Sequence, residues 1–333
     1  MTKLTNLIGI IKDKASQSKA ALLSKRTTLS LLRATSHDSF TPPTHKHLST
    51  LLSSGDGSRA TASAVVEVLM DRLQGTNSSA VALKCLIAVH HIIKHGSFIL
   101  QDQLSVYPST GGRNYLNLSN FRHNSNPVSW ELSSWVRWFA QHIEQLLCTC
   151  RILGFFLGNS PSDRGERVSG LTNADLLTEF DSLVTLVEGI CKRPDPDVSN
   201  NGNKLVDEIV NLVGEDWVVI ETELSVRVSE FEERLGCLNF GEAIELVCCM
   251  KRLEECKERI MMMIIMMMLE VEQSLRLWDS AKEVKDKAGI EVYKEEGKVQ
   301  KAVRKHMVSE SDRFSGRVLN SQDLLRFPSG RLL

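Results

Sequence analysis

Apolar residues recur at helical spacing along almost the whole chain, and strand-like alternation is scarce. Leu4, Leu7, Ile8 and Ile11 fall at the three-, four- and seven-residue intervals of one helical face. Lys3, Lys12 and Lys14 lie on its flanks, so the spacing predicts an amphipathic helix over 3–14. A second helix is expected over 18–33, followed by a bend at Pro42 and Pro43. The next helix should start near Thr44, a residue type that suits an N-cap. The run "SSGDGS" interrupts the pattern at 53–58. Ala62, Val65, Val66, Leu69 and Leu73 then line one face of a helix over 59–73. Segment 78–96, "SSAVALKCLIAVHHIIKHG", is apolar on nearly all sides. Its polar positions Lys84, His91 and His95 fall on one edge, as in a helix inside a stack with a single exposed strip.

Farther along, "NYLNLSNF" at 114–121 reads as an ordered loop. A long helix over 129–156 carries Trp130, Trp135, Trp138, Phe139, Ile143 and Leu147. Helices are expected at 171–191, 203–213, 215–235 and 240–283, with Gly-, Ser-, Asn- and Pro-rich loops at 158–170 and 192–203. The run "IMMMIIMMML" at 260–269 rises about 15 Å as a helix, roughly half a bilayer core, so it predicts a buried core helix and not a span. The last forty residues lose apolar periodicity and are expected to be a frayed, partly disordered tail. No break separates two domains. The pattern predicts an all-α chain, a superhelical stack of antiparallel helices.

Composition narrows the chemistry. Hydrophobic content of 42% and charged content of 24% over 333 residues are ordinary for a soluble protein. The net charge is −1, but residues 1–50 hold eight Lys or Arg against Asp13 and Asp38, leaving +6 there and −7 elsewhere. A basic end on an acidic body suits a polyanionic surface. None of the eight cysteines forms a Cys-x-x-Cys pair, and most sit in apolar helical patterns, so reduced thiols in a cytosolic protein are expected. Adjacent helical positions point apart, so the cysteine groups at 148/150 and 248/249/256 suit zinc poorly. His91 and His95 have metal-ligand spacing, but no His-Glu-x-x-His pattern surrounds them. No nucleophile elbow, Walker loop or dinucleotide fingerprint occurs, so neither an enzyme nor a cofactor is expected.

One stretch concentrates cations. "RATSHDSFTPPTHKH" at 33–47 packs one Arg, one Lys and three His around the two prolines, with Asp38 as its one acid. Arg33 should close one helix, and Lys46 and His47 should lie in the first turn of the next, with His45 beside them. Helix N-termini expose free N–H groups and favour anions, so such a corner can hold a multiply charged phosphate.

"RATSHDSFTPPTHKHL", "LKCLIAVHHIIKHGS" and "NYLNLSNF", in that order and at those separations, resemble the ANTH domain of clathrin-assembly adaptors, the plant members most closely. The likeness spans about residues 5 to 285. It implies an ENTH/ANTH-like α-helical superhelix that binds phosphatidylinositol 4,5-bisphosphate. The family's pattern is Lys, nine residues, Lys, any residue, Lys or Arg, then His or Tyr. Arg33 matches its first lysine, and Lys46 and His47 match its closing pair. Thr44 stands where the middle lysine belongs, and the Pro42-Pro43 corner is one residue longer. Each basic residue near an anionic surface contributes on the order of 1 kcal/mol, so the missing cation implies binding weaker by roughly fivefold to tenfold. A Thr44 hydroxyl at the N-cap and a His45 that charges in mild acid would offset part of this.

In the light of that resemblance, Leu4, Leu7, Ile8 and Ile11 are expected to insert into the membrane interface with the lysines facing lipid phosphates. The implied organisation is a membrane helix over 1–16, a helical body over 17–285 and a short tail over 286–333. Asp323, Leu324 and Leu325 in "SQDLLRF" resemble the family's Asp-Leu-Leu clathrin motif, and "ADLL" recurs at 174–177. Clathrin heavy chain, phosphoinositide membrane and vesicle SNARE helices are the implied partners. Clathrin-coated pits and vesicles, and the Golgi apparatus, are the implied locations. The alternative reading is a helical scaffold for SNAREs or cargo with a weakened lipid site. A nucleic-acid partner ranks last, since Phe40 is the one aromatic residue among the clustered cations.

Overall fold

The protein, as a computed structural model, is described over residues 8–17, 26–38, 41–53, 55–108, 111, 114–124, 126–159, 163–195, 203–290 and 292. Those residues form helices joined by short loops, with no strand among them. The helices are α1 (8–17), α2 (Arg26–Ala34), α3 (His45–Ser53), α4 (Arg59–Gly75), α5 (Ser79–His95), α6 (Phe98–Ser105) and α7 (Pro127–Leu153). After them come α8 (Arg164–Ser169), α9 (Asn173–Cys191), α10 (Lys204–Arg234), α11 (Phe240–Glu255), α12 (Lys257–Met266) and α13 (271–290). In the stack α2 packs on α3, α4 on α5 and α6, α5 on α7, α7 on α9, and α9 on α10 and α11. This is the all-α superhelical arrangement that the periodicity predicts.

Local signals explain most helix ends. Ser58 and Thr61 form a reciprocal capping box at the start of α4, and Asn239 and Glu242 do the same for α11. The Asn126 side chain accepts from the Ser129 amide while Pro127 occupies the first turn of α7, where its missing N–H costs nothing. Helix α7 stops at Leu153, short of the expected 156, because Gly154 turns the chain at a φ of 76°. The loop at 114–121 is ordered as expected. Leu116 and Leu118 are buried in it, and Asn114 Oδ1 accepts from the Leu116 amide at 2.9 Å.

Four expectations need correction. Residues 203–213 and 215–235 form one helix, α10, because Gly214 is a packing site and not a break. A Cβ at Gly214 would lie 1.9 Å from the Met267 Cε, so its hydrogen atom is what lets that side chain cross the helix. The expected 240–283 helix is three, since Cys256 serves as C-cap of α11 and N-cap of α12, and residues 267–270 separate α12 from α13. The "loop" at 158–170 contains α8, too short for periodicity to reveal. Helix α12 is half exposed: Ile260, Met263 and Ile264 are buried, while Met262, Ile265 and Met266 face outward. Among the described residues no helix is long and apolar enough to cross a membrane.

Burial on α5 is nearly complete, including groups that carry charge. Lys84, read from the sequence as an edge residue, is only 1% exposed. Lys94 and His90 of α5 are buried beside Asp216 of α10 and His142 of α7. His90 Nε2 and His142 Nε2 lie 2.8 and 2.9 Å from Asp216 Oδ2, and Lys94 Nζ lies 3.0 Å from Oδ1. Both imidazoles therefore carry a proton at Nε2. Burial alone would raise the Asp216 pKa. The charge and hydrogen bonds of His90, the hydrogen bond of His142 and the charge of Lys94 outweigh it and hold the carboxyl well below the usual range. A second buried cluster ties α8, α9 and α10: Arg227, fully buried, bonds Glu179 and Glu223, which also pair with Arg167 and Arg164.

The Asp216 cluster has a measurable signature. Because its folded pKa lies below the unfolded value, its contribution is complete above about pH 4 and is lost as the pH falls further. Asp216→Asn is expected to lose about 3–5 kcal/mol near neutral pH, since it strands a buried ammonium. The gap to the parent protein should narrow below about pH 4. Urea unfolding across that range measures both, and an undiminished gap in acid would exclude this role.

Candidate functional site

The basic corner is built by two helix ends and the chain between them. Arg33 is exposed in the last turn of α2. The Thr44 carbonyl accepts from the His47 and Leu48 amides at 3.0 and 3.2 Å, so Thr44 takes the capping position just before α3, as expected. His45 and Lys46 are then exposed in the first turn of α3 and His47 is half-buried. The fold brings Arg33 close enough to His47 for their charges to interact, as that of the adjacent Lys46 does. Burial first, and then the charges of Arg33 and Lys46, lower the His47 pKa from its ordinary 6.5. Near neutral pH the fixed cations here are accordingly Arg33 and Lys46. His45 Nδ1 lies 3.2 Å from the Ser49 hydroxyl one turn on.

The chain leaving α2 is held from beneath. Thr35 is buried, and its hydroxyl donates to the Leu31 carbonyl at 2.7 Å. Arg72 of α4 donates from Nη2 to the Thr35 carbonyl at 2.6 Å and to Asp13 of α1 at 3.0 Å. The His37 amide and ring Nδ1 meet the other oxygen of Asp13 at 3.1 and 2.6 Å. Burial of Asp13 would raise its pKa, but the bonds from His37 and Arg72 prevail and lower it. Lys84 reaches up from α5 to the Ser36 hydroxyl at 3.1 Å, and burial pushes its pKa down to about 8 against the pull of Asp38 and Asp13. Asp13, Arg72 and Lys84 thus brace the chain between α2 and the bend.

Helix α1 docks by its polar face. Asp13 and Gly9 are buried, and a Cβ at Gly9 would meet the His37 ring at 2.7 Å. Ile8, Ile10 and Ile11 are left 44%, 45% and 58% exposed, with Lys12 and Lys14 beside them. Ile8 and Ile11 are two of the four expected insertion residues; Leu4 and Leu7 lie outside the described residues. Ile10 joins the exposed set without having been singled out. Asp13 was also missed, although an isolated acid among the N-terminal lysines is a sequence signal in its own right. A cleft of about 720 Å³ between α1 and the body is lined by Lys12, Asp13, His37, Arg72 and His123.

The two Asp-Leu-Leu stretches fare differently. Asp323, Leu324 and Leu325 lie outside the described residues. In the 174–177 copy, Leu176 and Leu177 are buried on α9 and unavailable to a partner. The His91 and His95 rings lie 5.8 Å apart on α5, tilted by 39°, and burial with three neighbouring histidines drives the His91 pKa down to about 4. Among the described residues no group of three metal-ligating side chains converges.

Comparison with known proteins agrees with this architecture. The profile of the ANTH domain matches residues 27–213, from the start of α2 into α10. An Arabidopsis thaliana protein named for clathrin assembly is 56% identical over 272 residues, covering 78% of this chain and 74% of its own. Two further Arabidopsis thaliana proteins with the same designation are 34% and 32% identical. They align over 77% and 78% of this chain and over 78% and 91% of theirs.

The bracing of α1 predicts a local effect. Asp13→Asn removes the charge that Arg72 and His37 share, and charge-assisted bonds of this kind are worth about 1.5–3 kcal/mol. Amide exchange over 8–17 is expected to rise about tenfold or more while the core helix α5 keeps its protection. Equal exchange in both proteins would show that α1 is held by other contacts.

Proposed function

Because the chain belongs to the ANTH-domain family, a family of adaptors and not of enzymes, we propose that it is a peripheral membrane adaptor that supports clathrin coat assembly. In this reading it docks on phosphatidylinositol 4,5-bisphosphate through the corner formed by Arg33, Thr44, His45, Lys46 and His47. Residues 1–16 act as a membrane helix, 17–285 as the helical body, and 286–333 as a short tail. Asp323, Leu324 and Leu325 in that tail are the proposed contact with clathrin heavy chain, in coated pits and coated vesicles. The same chemistry would serve at the Golgi apparatus.

The observation that carries the membrane reading is the placement of Arg33, Lys46 and His47 together at an exposed helix start, on the molecule that also holds Ile8, Ile10 and Ile11 outward. Two cations and the N–H groups of a helix N-terminus suit a phosphorylated headgroup. Exposed isoleucines flanked by Lys12 and Lys14 suit the boundary between headgroups and acyl chains. An amphipathic helix that packed for stability alone would turn those isoleucines inward, and α1 instead buries Asp13. A second reading, a scaffold for SNARE helices or cargo with a weakened lipid site, is favoured by one feature: Thr44 stands where the family pattern has a lysine.

Co-sedimentation of the full chain with phosphatidylcholine vesicles, with and without phosphatidylinositol 4,5-bisphosphate, separates the two. The parent protein is expected to pellet only with the phosphoinositide. Lys46→Glu should weaken that binding by about tenfold or more, since it removes one favourable charge and adds a repulsive one. Ile11→Asp should reduce binding by a similar factor through loss of insertion while leaving the fold intact, because the side chain is exposed. A parent chain that stays in the supernatant under both conditions would favour the scaffold.

A further inference from the structure

Three of the eight cysteines, Cys85, Cys150 and Cys249, are buried apolar side chains. Burial pushes the Cys85 and Cys249 thiols up to about 12 and that of Cys150 to about 11. Cys148, Cys237 and Cys248 are exposed. The pair formed by Cys191 and Cys256 is different. Cys191 is the last residue of α9, and Cys256 is the residue at which α11 gives way to α12. The Cys191 thiol donates to the Cys256 carbonyl oxygen at 3.7 Å, so the end of α9 lies directly against the α11–α12 junction. The two cysteines are 65 positions apart in the chain, so only the packing of α9 against α11 and α12 makes them neighbours.

The surroundings favour a thiolate on one of the two. A helix C-terminus carries partial negative charge and by itself disfavours an anion at Cys191. The contact with Cys256 nevertheless lowers the Cys191 pKa against the effect of burial, and the positive charges of Arg259 and Arg193 act in the same direction against that of Glu188. Arg259 is fixed in place: its Nη1 donates to the Cys191 carbonyl at 2.6 Å, and its Nη2 lies 3.6 Å from Asp195. Cys191 is half-buried, within reach of a small oxidant, while Cys256 is buried behind it. A partly accessible thiol beside a sheltered partner is the arrangement of an attacking and a resolving cysteine.

We propose that Cys191 and Cys256 form a peroxide-sensitive dithiol that closes to a disulfide between the end of α9 and the α11–α12 junction. The Cys191 thiolate attacks one oxygen of hydrogen peroxide and breaks the O–O bond. That step yields a sulfenic acid and hydroxide, which takes up the proton lost by the thiol to become water. The Cys256 sulfur then attacks the sulfenic sulfur. The S–S bond forms, the S–O bond breaks, and the departing oxygen takes the Cys256 proton and leaves as a second water. Two thiols and one peroxide give one disulfide and two waters, and a dithiol reductant reverses the change. The cross-link fixes α12 against α9.

Peptide mapping of the intact, folded chain after graded hydrogen peroxide, under non-reducing conditions, tests this directly. The peptide linking Cys191 to Cys256 is expected to appear before Cys148, Cys237 or Cys248 is modified, and dithiothreitol should remove it. Cys191→Ser should abolish the link, and Cys248→Ser should leave it unchanged, with circular dichroism confirming that both variants fold. Earlier oxidation of the exposed cysteines without the 191–256 peptide would overturn the proposal. So would conversion of Cys191 to a sulfinic acid with Cys256 still free.

Discussion

A single buried carboxylate holds the middle of this stack together. Asp216 on α10 receives His90 and Lys94 from α5 and His142 from α7, so three helices distant in sequence share one charge. An apolar interface between helices tolerates sliding, because leucine packs against leucine in several registers with similar energy. A buried charge does not, since any register that strands Asp216 or Lys94 leaves an unpaired ion in a medium of low polarity. The Arg227 cluster applies the same constraint to α8, α9 and α10. Together the two clusters set how successive helices sit on one another, and hydrophobic burial supplies the bulk of the driving force around them.

The same device recurs at the amino-terminal end with a different outcome. Asp13 is buried, meets Arg72 and His37, and ties α1 and the chain after α2 to α4. Docking through a polar face is what turns Ile8, Ile10 and Ile11 outward. It also steadies the segment from Thr35 to His37, and with it the approach of Arg33 to Lys46 and His47. Under the membrane-adaptor reading, the lipid-facing surface is therefore prepared by residues that never touch lipid. Electrostatic cost is spread in one direction: Lys84, Arg72 and Asp13 lie beneath the corner, and Arg33 and Lys46 face solvent.

Helix-rich organisation was legible in the sequence because a period near four residues is a local property. The faces of α4 and α5, the ordered loop at 114–121 and the bend before α3 all follow from spacing, capping residues and prolines. The cationic corner was legible for the same reason, since Arg33, Lys46 and His47 lie within fifteen residues of one another. The errors fall where a residue type has two meanings. Gly214 reads as a helix break until Met267 is seen lying across it. The apolar run at 260–269 reads as buried because periodicity cannot tell which side of a short helix has a neighbour. Lys84 reads as an edge residue because charge usually marks solvent, and the groups it meets, Ser36 and the charges of Asp38 and Asp13, lie in distant parts of the chain.

What the sequence alone determined was the all-helical class, the sites of most helix ends and the grouping of cations around Pro42 and Pro43. Each depends on residues within a few turns of one another. Tertiary structure decided which charges are buried, that α1 docks by Asp13 with its isoleucines outward, and that Cys191 meets Cys256. Those outcomes depend on side chains brought together from distant parts of the chain. Their partners are chosen by packing of whole helices, a choice in which a local pattern carries no information about which helix will be the neighbour.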